Sequence, residues 1–542
     1  MIPRPRLSGT GLRIAVEAHA VVTLTRAGML GPVSPANLSR ISKGLNAYGV
    51  LGGAISMAAI RFGDKPALID ERGTLSFREL DERSDAIAIA LRDLGVVGGA
   101  RIGILCRNHR GMLESTFAAA KLGAKALYLN TDFSKPQATE VCAREGIDLL
   151  IHDEEFADVL SAVETPMGRF LAWVDEPGEA STLDGLIEAG LGREIVLPSK
   201  PGSLVMLTSG TTGTPKGAPR EQPRSLALPA GLLSKIPYRN TSPIYVAPPM
   251  FHGWGLLNAT VALGMGATMV THRRFVAETV LESIVEHRIG GLAVVPVMLK
   301  RLLALGEEGL AAYDLSSLKI IAAAGAQLEG PLATQAMDVF GDILYNLYGS
   351  TECAYASIAT PEDLRAAPGC VGKSPFGTTV SLFDDVGHAV PQGAVGHIFV
   401  ANTSQFGGYT GGGHKELIAG MMSTGDVGHF DEGGRLFVDG RDDDMIVSGG
   451  ENVFPQEVEE LLAAHPDIAD CAVIGVADES FGQVLRAFVV ARPASILDEK
   501  TIQNHVRDNL ARYKVPRAVI FLDELPRNPS GKVLKRELAA RD

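Results

Sequence analysis

Short apolar runs alternate with amphipathic stretches along most of the chain. Residues 66–69 and 101–106 are runs of the kind that form buried strands. Between them, apolar residues recur at helical spacing, and we expect the buried face of this helix to consist of Leu80, Ile87, Leu91 and Leu94. Ser76 and Glu79 match the S-x-x-E pattern of a capping box, which predicts where the helix begins.

The same alternation continues to residue 207. Residues 112–122 have a helical pattern, while residues 124–129 and 149–151 are typical of strands. Residues 242–271 contain no Asp, Glu, Lys or Arg, but their prolines and glycines argue against a membrane span and favour buried strands and a helix. Strands that alternate with helices predict a mainly parallel sheet covered by helices on both faces.

The pattern changes towards the carboxyl terminus, where a small α+β unit is expected. Pro455 suits the first turn of a helix. The apolar face of that helix is formed by Val458, Leu461 and Leu462. Residues 471–476 and 485–490 are typical of strands.

A chain of 542 residues is too long for one compact core. We expect a helical extension over residues 1–50, a large domain over residues 51–440 and a small domain over residues 441–542. No secretory signal is predicted, because Arg13 and Glu17 interrupt the apolar stretch near the amino terminus.

Composition narrows the class of protein. Hydrophobic residues make up 46% of the chain and charged residues 21%, as in ordinary globular proteins. The net charge of −13 argues against a non-specific nucleic-acid binder. The five cysteines are scattered and form no CxxC pair, which favours a reducing cytoplasm over a disulfide framework or a structural zinc site.

Residues 204–217 read L-V-M-L-T-S-G-T-T-G-T-P-K-G. The apolar start predicts a buried strand, and the remainder offers glycine N–H groups, hydroxyl donors and one Lys to an anion. The pattern differs from a P-loop, because Pro215 precedes Lys216 and Gly217 follows it. A solvated surface loop is the alternative to a binding site for nucleotide phosphates.

Further segments follow in order along the chain. They are residues 248–255 (P-P-M-F-H-G-W-G), 346–352 (N-L-Y-G-S-T-E), 423–426 (S-T-G-D), 440–453 (G-R-D-D-D-M-I-V-S-G-G-E-N-V) and 526–532 (P-R-N-P-S-G-K). Each segment alone has a plainer explanation, such as a structural histidine or a solvated turn. Together with the loop above, they resemble the adenylate-forming superfamily, which includes acyl-CoA synthetases, luciferases and the adenylation domains of peptide synthetases.

The resemblance covers residues 50–542 and implies an α/β fold. Its large amino-terminal domain has stacked, mainly parallel sheets with helices, plus a small β-barrel-like subdomain. A small, mobile α+β domain follows. The resemblance also implies ATP, Mg²⁺ and coenzyme A as cofactors.

The resemblance implies roles for residues that bind the nucleotide. The β- and γ-phosphates are expected at Thr208, Ser209, Gly210, Thr211, Thr212, Gly213, Thr214 and Lys216. Tyr348 is expected to stack on adenine, Thr351 to bind the α-phosphate and Glu352 to hold Mg²⁺. Asp426 and Arg441 are expected to bind the ribose. Other backbone contacts to the nucleotide or the acyl site are expected from Gly325, Ala326, Gly349 and Ser350.

The resemblance also implies the residues of the reaction and of the conformational change. His252 is expected to orient the substrate carboxylate, and Lys532 is the expected catalytic lysine. Asp443 is the expected hinge. The pantetheine arm of CoA is expected at Ser448, Gly449 and Gly450.

Two positions depart from the family pattern. His397 stands in Gly-His-Ile where the family often has G-E-[LI], and Met422 with Ser423 precedes T-G-D where an aromatic or basic residue is common. Neither departure touches a proposed catalytic atom.

The motifs imply a two-step reaction, in which a carboxylic acid and ATP give an acyl-adenylate and the acyl group then passes to the thiol of CoA. Residues 254–265 are apolar and lack Lys and Arg, which favours an apolar acid. A medium- or long-chain fatty acid is the first expectation, and an aryl acid stays open. The alternatives are an acyl-AMP ligase that loads a carrier protein, a luciferase-like oxygenase and a nucleotide-binding regulator without catalysis.

The expected partners are the small-molecule acid, ATP and CoA, without nucleic acid. The expected location is the cytoplasm. A peripheral membrane contact through residues 1–50 and a homodimer both stay open.

Overall fold

The protein is described from a computed structural model, which covers residues 10–175, 181–208, 216–220, 225–410, 412–448, 451–478, 482–493, 495–529 and 531–541. The helices are α1 (Thr10–Ala27), α2 (Pro35–Phe62), α3 (Phe77–Asp93), α4 (Arg110–Leu122), α5 (Lys135–Glu145), α6 (Leu183–Gly190), α7 (Ala227–Lys235), α8 (Gly253–Met265), α9 (Ala277–His287), α10 (Pro296–Leu303), α11 (Gly306–Ala311), α12 (Gly330–Phe340), α13 (Pro361–Ala366), α14 (Pro455–Ala463), α15 (Glu499–Asn509) and α16 (Lys535–Ala539).

The strands are β1 (Pro66–Asp70), β2 (Gly73–Ser76), β3 (Arg101–Leu105), β4 (Lys125–Tyr128), β5 (Leu149–Asp153), β6 (Arg169–Trp173), β7 (Ser203–Thr208), β8 (Lys216–Arg220), β9 (Ile244–Val246), β10 (Met269–Val270), β11 (Gly291–Val294), β12 (Ile320–Ala324), β13 (Leu344–Tyr348), β14 (Ser357–Ala359), β15 (Thr379–Phe383), β16 (Gly396–Ala401), β17 (Leu417–Ile418), β18 (Met421–Phe430), β19 (Leu436–Arg441), β20 (Ile446–Ser448), β21 (Glu451–Val453), β22 (Ile468–Asp478), β23 (Gly482–Ala491) and β24 (Ala518–Phe521).

Two mainly parallel sheets form the body of the large domain, as the alternating pattern predicts. One has the strand order β14-β13-β12-β11-β9-β10-β1-β2, and the other has the order β6-β5-β3-β4-β7-β8. In the first sheet, β9, β11, β12 and β13 are parallel neighbours, so their carboxyl ends meet at one edge. Every residue of β12 is buried, as expected for a parallel strand covered on both faces.

Two further sheets follow along the chain. An antiparallel sheet of five strands has the order β15-β16-β18-β17, with β19 also paired to β18. The short 3₁₀ turn Asp442–Asp444 leads into the carboxyl-terminal sheet, in which β22 and β23 form a long antiparallel pair. Helices α14 and α15 pack on this sheet, which confirms the expected α+β character.

Residues 10–50 are largely helical, as expected, but α2 continues across the expected boundary at residue 50. It is a hairpin rather than a straight rod, because the chain turns at Gly49, where φ is 71°. Gly53 then lies against the backbone of Leu45, where a Cβ atom would come within 2.7 Å of Cα. The domain boundaries themselves stay predictions.

The local predictions in the first part of the chain are mostly confirmed. Ser76 Oγ accepts the Glu79 N–H at 3.2 Å, and Glu79 Oε2 accepts the Ser76 N–H at 2.7 Å, which completes the capping box. Residues 242–271 contain β9, α8 and β10. The expectation of a buried Leu94 is wrong, because this residue caps α3 beyond its last turn and its side chain is 58% exposed.

Throughout the described ranges, no helix combines the length and the apolar character needed to cross a bilayer.

Candidate active site

The carboxyl edge of the larger sheet brings together segments that are far apart in the sequence. His252 follows β9, Val297 follows β11, Gly325 follows β12 and Tyr348 ends β13. In open α/β sheets, ligands bind outside this edge. The strand order therefore creates one candidate site from several of the predicted motifs.

A tight turn after β13 presents Glu352. Gly349 is required there, since a Cβ atom would lie 2.3 Å from the carbonyl oxygen of Ala354, which itself has φ of 65°. Ser350 Oγ accepts the N–H groups of Glu352 at 3.2 Å and Cys353 at 3.4 Å. Gly349 and Ser350 thus shape the turn that contains Thr351 and holds the buried Glu352.

A second segment, Phe406 to Thr410, holds Glu352 from the other side, and sequence reasoning missed it. The Phe406 N–H donates to the Glu352 carbonyl at 2.9 Å, and the Tyr409 hydroxyl donates to Glu352 Oε1 at 2.8 Å. The Thr410 N–H donates to the carbonyl of Gly217 at 2.9 Å. The segment therefore connects the Glu352 turn to β8. The sequence feature that could have identified this segment is the presence of Phe406 and Tyr409 within a Gly-rich stretch.

Asp426 lies between two other predicted residues. The Tyr348 hydroxyl donates to Asp426 Oδ2, and Arg441 Nη1 donates to Oδ1 at 3.3 Å. Arg441 is the direct cross-strand partner of Asp426 in the pairing of β18 with β19. Burial raises the pKa of the Asp426 carboxyl, while its hydrogen bond with Tyr348 and the Arg441 charge oppose that shift. A carboxylate can accept more than these two hydrogen bonds, so Asp426 retains capacity for ligand hydroxyls.

The carboxyl-terminal loop reaches this cleft. Gly531, with φ of 81°, packs on α10, and a Cβ atom there would lie 2.8 Å from Val297 Cγ1. Lys532 is exposed, yet desolvation by the surrounding protein lowers the pKa of its ammonium. The carboxylates of Asp426 and Glu352 oppose this shift, so both lie within electrostatic range of Lys532.

His252 is the amino-terminal cap residue of α8. Burial, and then the charge of Lys532, lower the pKa of its imidazole to about 4, so the ring is neutral near pH 7. Its Nε2 is buried, and no group in the described part of the chain lies within hydrogen-bonding reach of it. Trp254 is fixed nearby through its indole N–H, which donates to the carbonyl of Val294 at 2.9 Å.

Some predicted site residues lie outside the described residues. They are Ser209, Gly210, Thr211, Thr212, Gly213, Thr214, Gly449 and Gly450. The backbones of Thr208 and Lys216 pair across β7 and β8, so the two residues that flank the predicted phosphate-binding segment are neighbours. Asp443 lies in the 3₁₀ turn between β19 and β20, and Ser448 is buried at the end of β20. Ala326 follows Gly325, whose φ is 92°, at the carboxyl end of β12.

The donor set of the cleft fits a magnesium nucleotide and an acid. Glu352 offers a carboxylate, the ligand type that Mg²⁺ prefers. The cation Lys532 lies near it, suited to a polyphosphate. The buried Nε2 of His252 has no hydrogen-bond partner among the described residues, and a substrate carboxylate can supply one.

Another buried cluster does not fit a metal ion. Cys106, His109 and Asp153 lie together near the carboxyl ends of β3 and β5 in the six-stranded sheet. His109 Nε2 lies 2.7 Å from Asp153 Oδ1, and Nδ1 accepts the N–H of Gly111 at 3.0 Å. Both ring nitrogens are therefore engaged, and the cluster serves to fix the start of α4.

The chain matches the sequence model described as AMP-binding enzyme over residues 55–410 and the one described as AMP-binding enzyme C-terminal domain over residues 457–532. It is 34% identical over 499 residues to indoleacetate–CoA ligase of Aromatoleum aromaticum, which covers 89% of this chain and 95% of that protein. It is 31% identical over 495 residues to the fatty acid–[acyl-carrier-protein] ligase ScoC of Streptomyces coeruleorubidus, with 88% and 93% covered.

A solved structure shows the same fold. The o-succinylbenzoate CoA synthetase MenE from Bacillus subtilis, in complex with the acyl-adenylate intermediate OSB-AMP, has a TM-score of 0.79 to this chain at 27% identity. The alignment covers 90% of this chain and 98% of that one. The similarity therefore includes both the large and the small domain.

Proposed function

The chain belongs to the AMP-binding enzyme family, and from this premise we propose that it is an ATP-dependent acyl-CoA synthetase for an apolar carboxylic acid. The observation that carries the proposal is the convergence of Glu352, Asp426 and Lys532 on one cleft beside an unpartnered His252 Nε2. The cofactors are ATP, Mg²⁺ and coenzyme A.

In the first step, the cleft brings a carboxylate close to a triphosphate of the same charge. His252 orients the acid through Nε2, and the Thr208–Lys216 segment with Thr351 holds the phosphates. Tyr348 and the backbone at Gly325 and Ala326 bind the adenine side, while Asp426 and Arg441 hold the ribose. These contacts contribute mainly through orientation.

Lys532 supplies positive charge where the acid and the α-phosphate meet, and such preorganised charge is the largest contribution in reactions of this kind. Mg²⁺, when bound at Glu352, neutralises further charge on the phosphates. The second step needs a thiol at the same carbonyl, so Lys532 has to leave. Rotation about Asp443 then brings Ser448, Gly449 and Gly450 to the site.

An aryl acid is our first choice of substrate, with a fatty acid as the alternative. Two of the relatives described above are named for indoleacetate and o-succinylbenzoate, and one for a fatty acid. The names of these relatives therefore do not favour a fatty acid over an aryl acid, although a fatty acid is the first expectation from the sequence. The apolar residues 254–265 suit either class.

ATP–pyrophosphate exchange across a panel of acids tests the proposal. The panel contains indoleacetate, ferulate and fatty acids of increasing length, and we expect exchange with at least one class. Thioester yield with CoA is then compared with the yield on an acyl-carrier protein. If no acid supports exchange, the alternative of a nucleotide-binding regulator without catalysis is favoured. If the acyl group goes to the carrier protein rather than to CoA, the protein is an acyl-AMP ligase that loads a carrier protein.

We also propose that α1 and the first part of α2 contact an anionic membrane surface. The outward face of α1 exposes Ile14, Val21 and Val22, while the Glu17 carboxylate is turned inward to Ser225 Oγ. Residues 1–50 contain six basic residues and one acidic residue, although the whole chain has a net charge of −13. An exposed apolar helix face in a segment of net positive charge matches the chemistry of an anionic lipid interface.

Vesicle sedimentation with the full chain tests this contact. We expect binding to phosphatidylglycerol mixed with phosphatidylcholine, little binding to phosphatidylcholine alone, and a loss of about tenfold or more in Val21→Glu/Val22→Glu. Val386→Glu, at a residue that is 75% exposed in another part of the chain, is the matched control. If Val21→Glu/Val22→Glu changes the oligomeric mass in light scattering and leaves vesicle binding intact, the face joins two copies and the membrane proposal is wrong.

A further inference from the structure

A set of charged residues connects the large domain to the loop that contains Lys532. Lys300 lies on α10 of the large domain, and its Nζ is 3.2 Å from Oδ1 of Asp470 on β22 of the small domain. Arg527 donates to both oxygens of the same carboxylate, at 3.0 Å and 2.8 Å. Asp470 is thus shared between a cation of the large domain and a cation of the catalytic loop.

Arg527 also donates a hydrogen bond to the backbone next to Lys532, the expected catalytic lysine. Its Nη1 donates to the carbonyl oxygen of Gly531 at 2.7 Å. The following Lys532 N–H donates to Asn528 Oδ1 at 2.9 Å, and the Gly531 N–H donates to the Asn528 carbonyl at 2.8 Å. The Asn528 contacts therefore close a turn that ends at Lys532, and the Arg527 guanidinium holds that turn through the Gly531 carbonyl.

Helix α10 of the large domain makes two contacts with the small domain. Val297 and Lys300 are three residues apart on α10, so they share one face of the helix. Val297 contacts Gly531, and Lys300 pairs with Asp470. Both contacts join the large domain to the small domain in the arrangement that the structure shows, in which Lys532 lies near Asp426 and Glu352.

We propose that Asp470 is a positioning residue for the first half-reaction, which fixes Lys532 through Arg527 and fixes the docked domain through Lys300. The inference rests on the proposed function. The side chains of Asp470 and Arg527 are mostly buried, with 16% and 23% exposure, so the bidentate pair is shielded from water. Such charge-assisted pairs are stronger than neutral hydrogen bonds and fix geometry as well.

The plainer explanation is that Asp470 only stabilises the small domain, since Arg527 belongs to that domain too. The two explanations differ in what happens at Lys300, whose hydrogen bond to Asp470 crosses the domain interface. They also differ in the second half-reaction, because a rotated small domain no longer presents Asp470 to Lys300.

The two explanations are distinguished by measuring ATP–pyrophosphate exchange and thioester formation separately on variants of the full chain. We expect Asp470→Asn to lower ATP–pyrophosphate exchange by about ten- to a hundredfold and Lys300→Met to lower it by about fivefold. Thioester formation from supplied acyl-adenylate and CoA should stay within about twofold in both variants. Lys300→Arg keeps the cation and should retain most of the exchange activity.

The matched control is Lys514→Met, which removes an ion pair with Glu457 inside the small domain. It should leave both half-reactions unchanged. The proposal is overturned if Asp470→Asn lowers both half-reactions equally, which is the sign of a folding defect, or if it lowers neither.

A readout without substrate separates this inference from the proposed function. Amide hydrogen exchange of residues 526–533 should become faster in Lys300→Met and Asp470→Asn than in the wild type and in Lys514→Met. Unchanged protection in both variants overturns the positioning role even if the enzyme is active. A different result is also informative: amide exchange is faster in the two variants, but the wild type catalyses no ATP–pyrophosphate exchange with any acid. This result refutes the proposed function and leaves the positioning of the loop by Asp470 intact.

Discussion

At the residue scale, the cleft places Lys532 beside the carboxylates of Asp426 and Glu352, and the surrounding protein shifts the pKa values of Lys532 and Asp426. Desolvation lowers the pKa of Lys532, and the carboxylates of Asp426 and Glu352 restore part of the preference for the charged form. His252 is held neutral with its pKa lowered to about 4. The His252 imidazole is thus neutral near pH 7, while the neighbouring carboxylates favour the charged form of Lys532.

Lys532→Ala should therefore separate the two half-reactions. We expect ATP–pyrophosphate exchange to fall by about a hundredfold or more, since a charge in the transition state is lost. Thioester formation from supplied acyl-adenylate should stay within about threefold. Lys319→Ala, whose ammonium binds only the Ser316 carbonyl among the described residues, is the control. An equal fall in both half-reactions would contradict the role given to Lys532.

At the element scale, the helical hairpin of α2 depends on close contact between its two arms. Gly53 lies against Leu45, and Gly44 lies near Ser56, so small residues let the arms approach. Ile55 and Ala58 of the second arm are buried in the main core of the large domain. The second arm therefore anchors the hairpin on that core, and the predicted boundary at residue 50 falls inside α2.

Gly53→Ala should destabilise the protein by about 1–3 kcal/mol, because the added Cβ would lie 2.7 Å from Leu45 Cα and the backbone has to shift. Gly185→Ala is the matched control, since the nearest atom to its Cβ is Thr182 Oγ1 at 3.6 Å. The control should be neutral or slightly stabilising. Thermal unfolding of both variants measures the difference. A midpoint for Gly53→Ala equal to that of the wild type would show that the hairpin is more loosely packed than the contact indicates.

At the scale of the whole molecule, the small domain is docked so that its loop lies at the carboxyl edge of the larger sheet. The 3₁₀ turn Asp442–Asp444 is the connection between β19 of the large domain and β20 of the small one. A change of φ or ψ in this short turn would rotate everything that follows. The proposed second half-reaction needs such a rotation.

Asp443→Pro restricts φ in that turn and should hinder the rotation. We expect thioester formation to fall by about tenfold or more, while ATP–pyrophosphate exchange stays within about threefold. Asp443→Ala keeps the backbone free and should resemble the wild type in both assays. Normal thioester formation in Asp443→Pro would remove the hinge from the mechanism.

The sequence by itself determined what depends on neighbours along the chain. The capping box at Ser76, the apolar strands and Pro455 in the first turn of α14 follow from local backbone chemistry and spacing, and each is confirmed. The motif residues Glu352, Asp426 and Lys532 were also found this way, because short segments in a fixed order are visible without a structure. Their catalytic roles stay predictions.

Only the tertiary structure decided which distant groups meet. The sequence has no periodic signal for three features. They are the hydrogen bond from Tyr409 to Glu352, the ion pairs of Asp470 with Lys300 and Arg527, and the turn of α2 at Gly49. Leu94 fits the helical period and is nevertheless exposed, because the helix ends before it. The physical reason is the same throughout: spacing along a chain reports one element, whereas these contacts depend on how strand order and domain docking bring separate elements together.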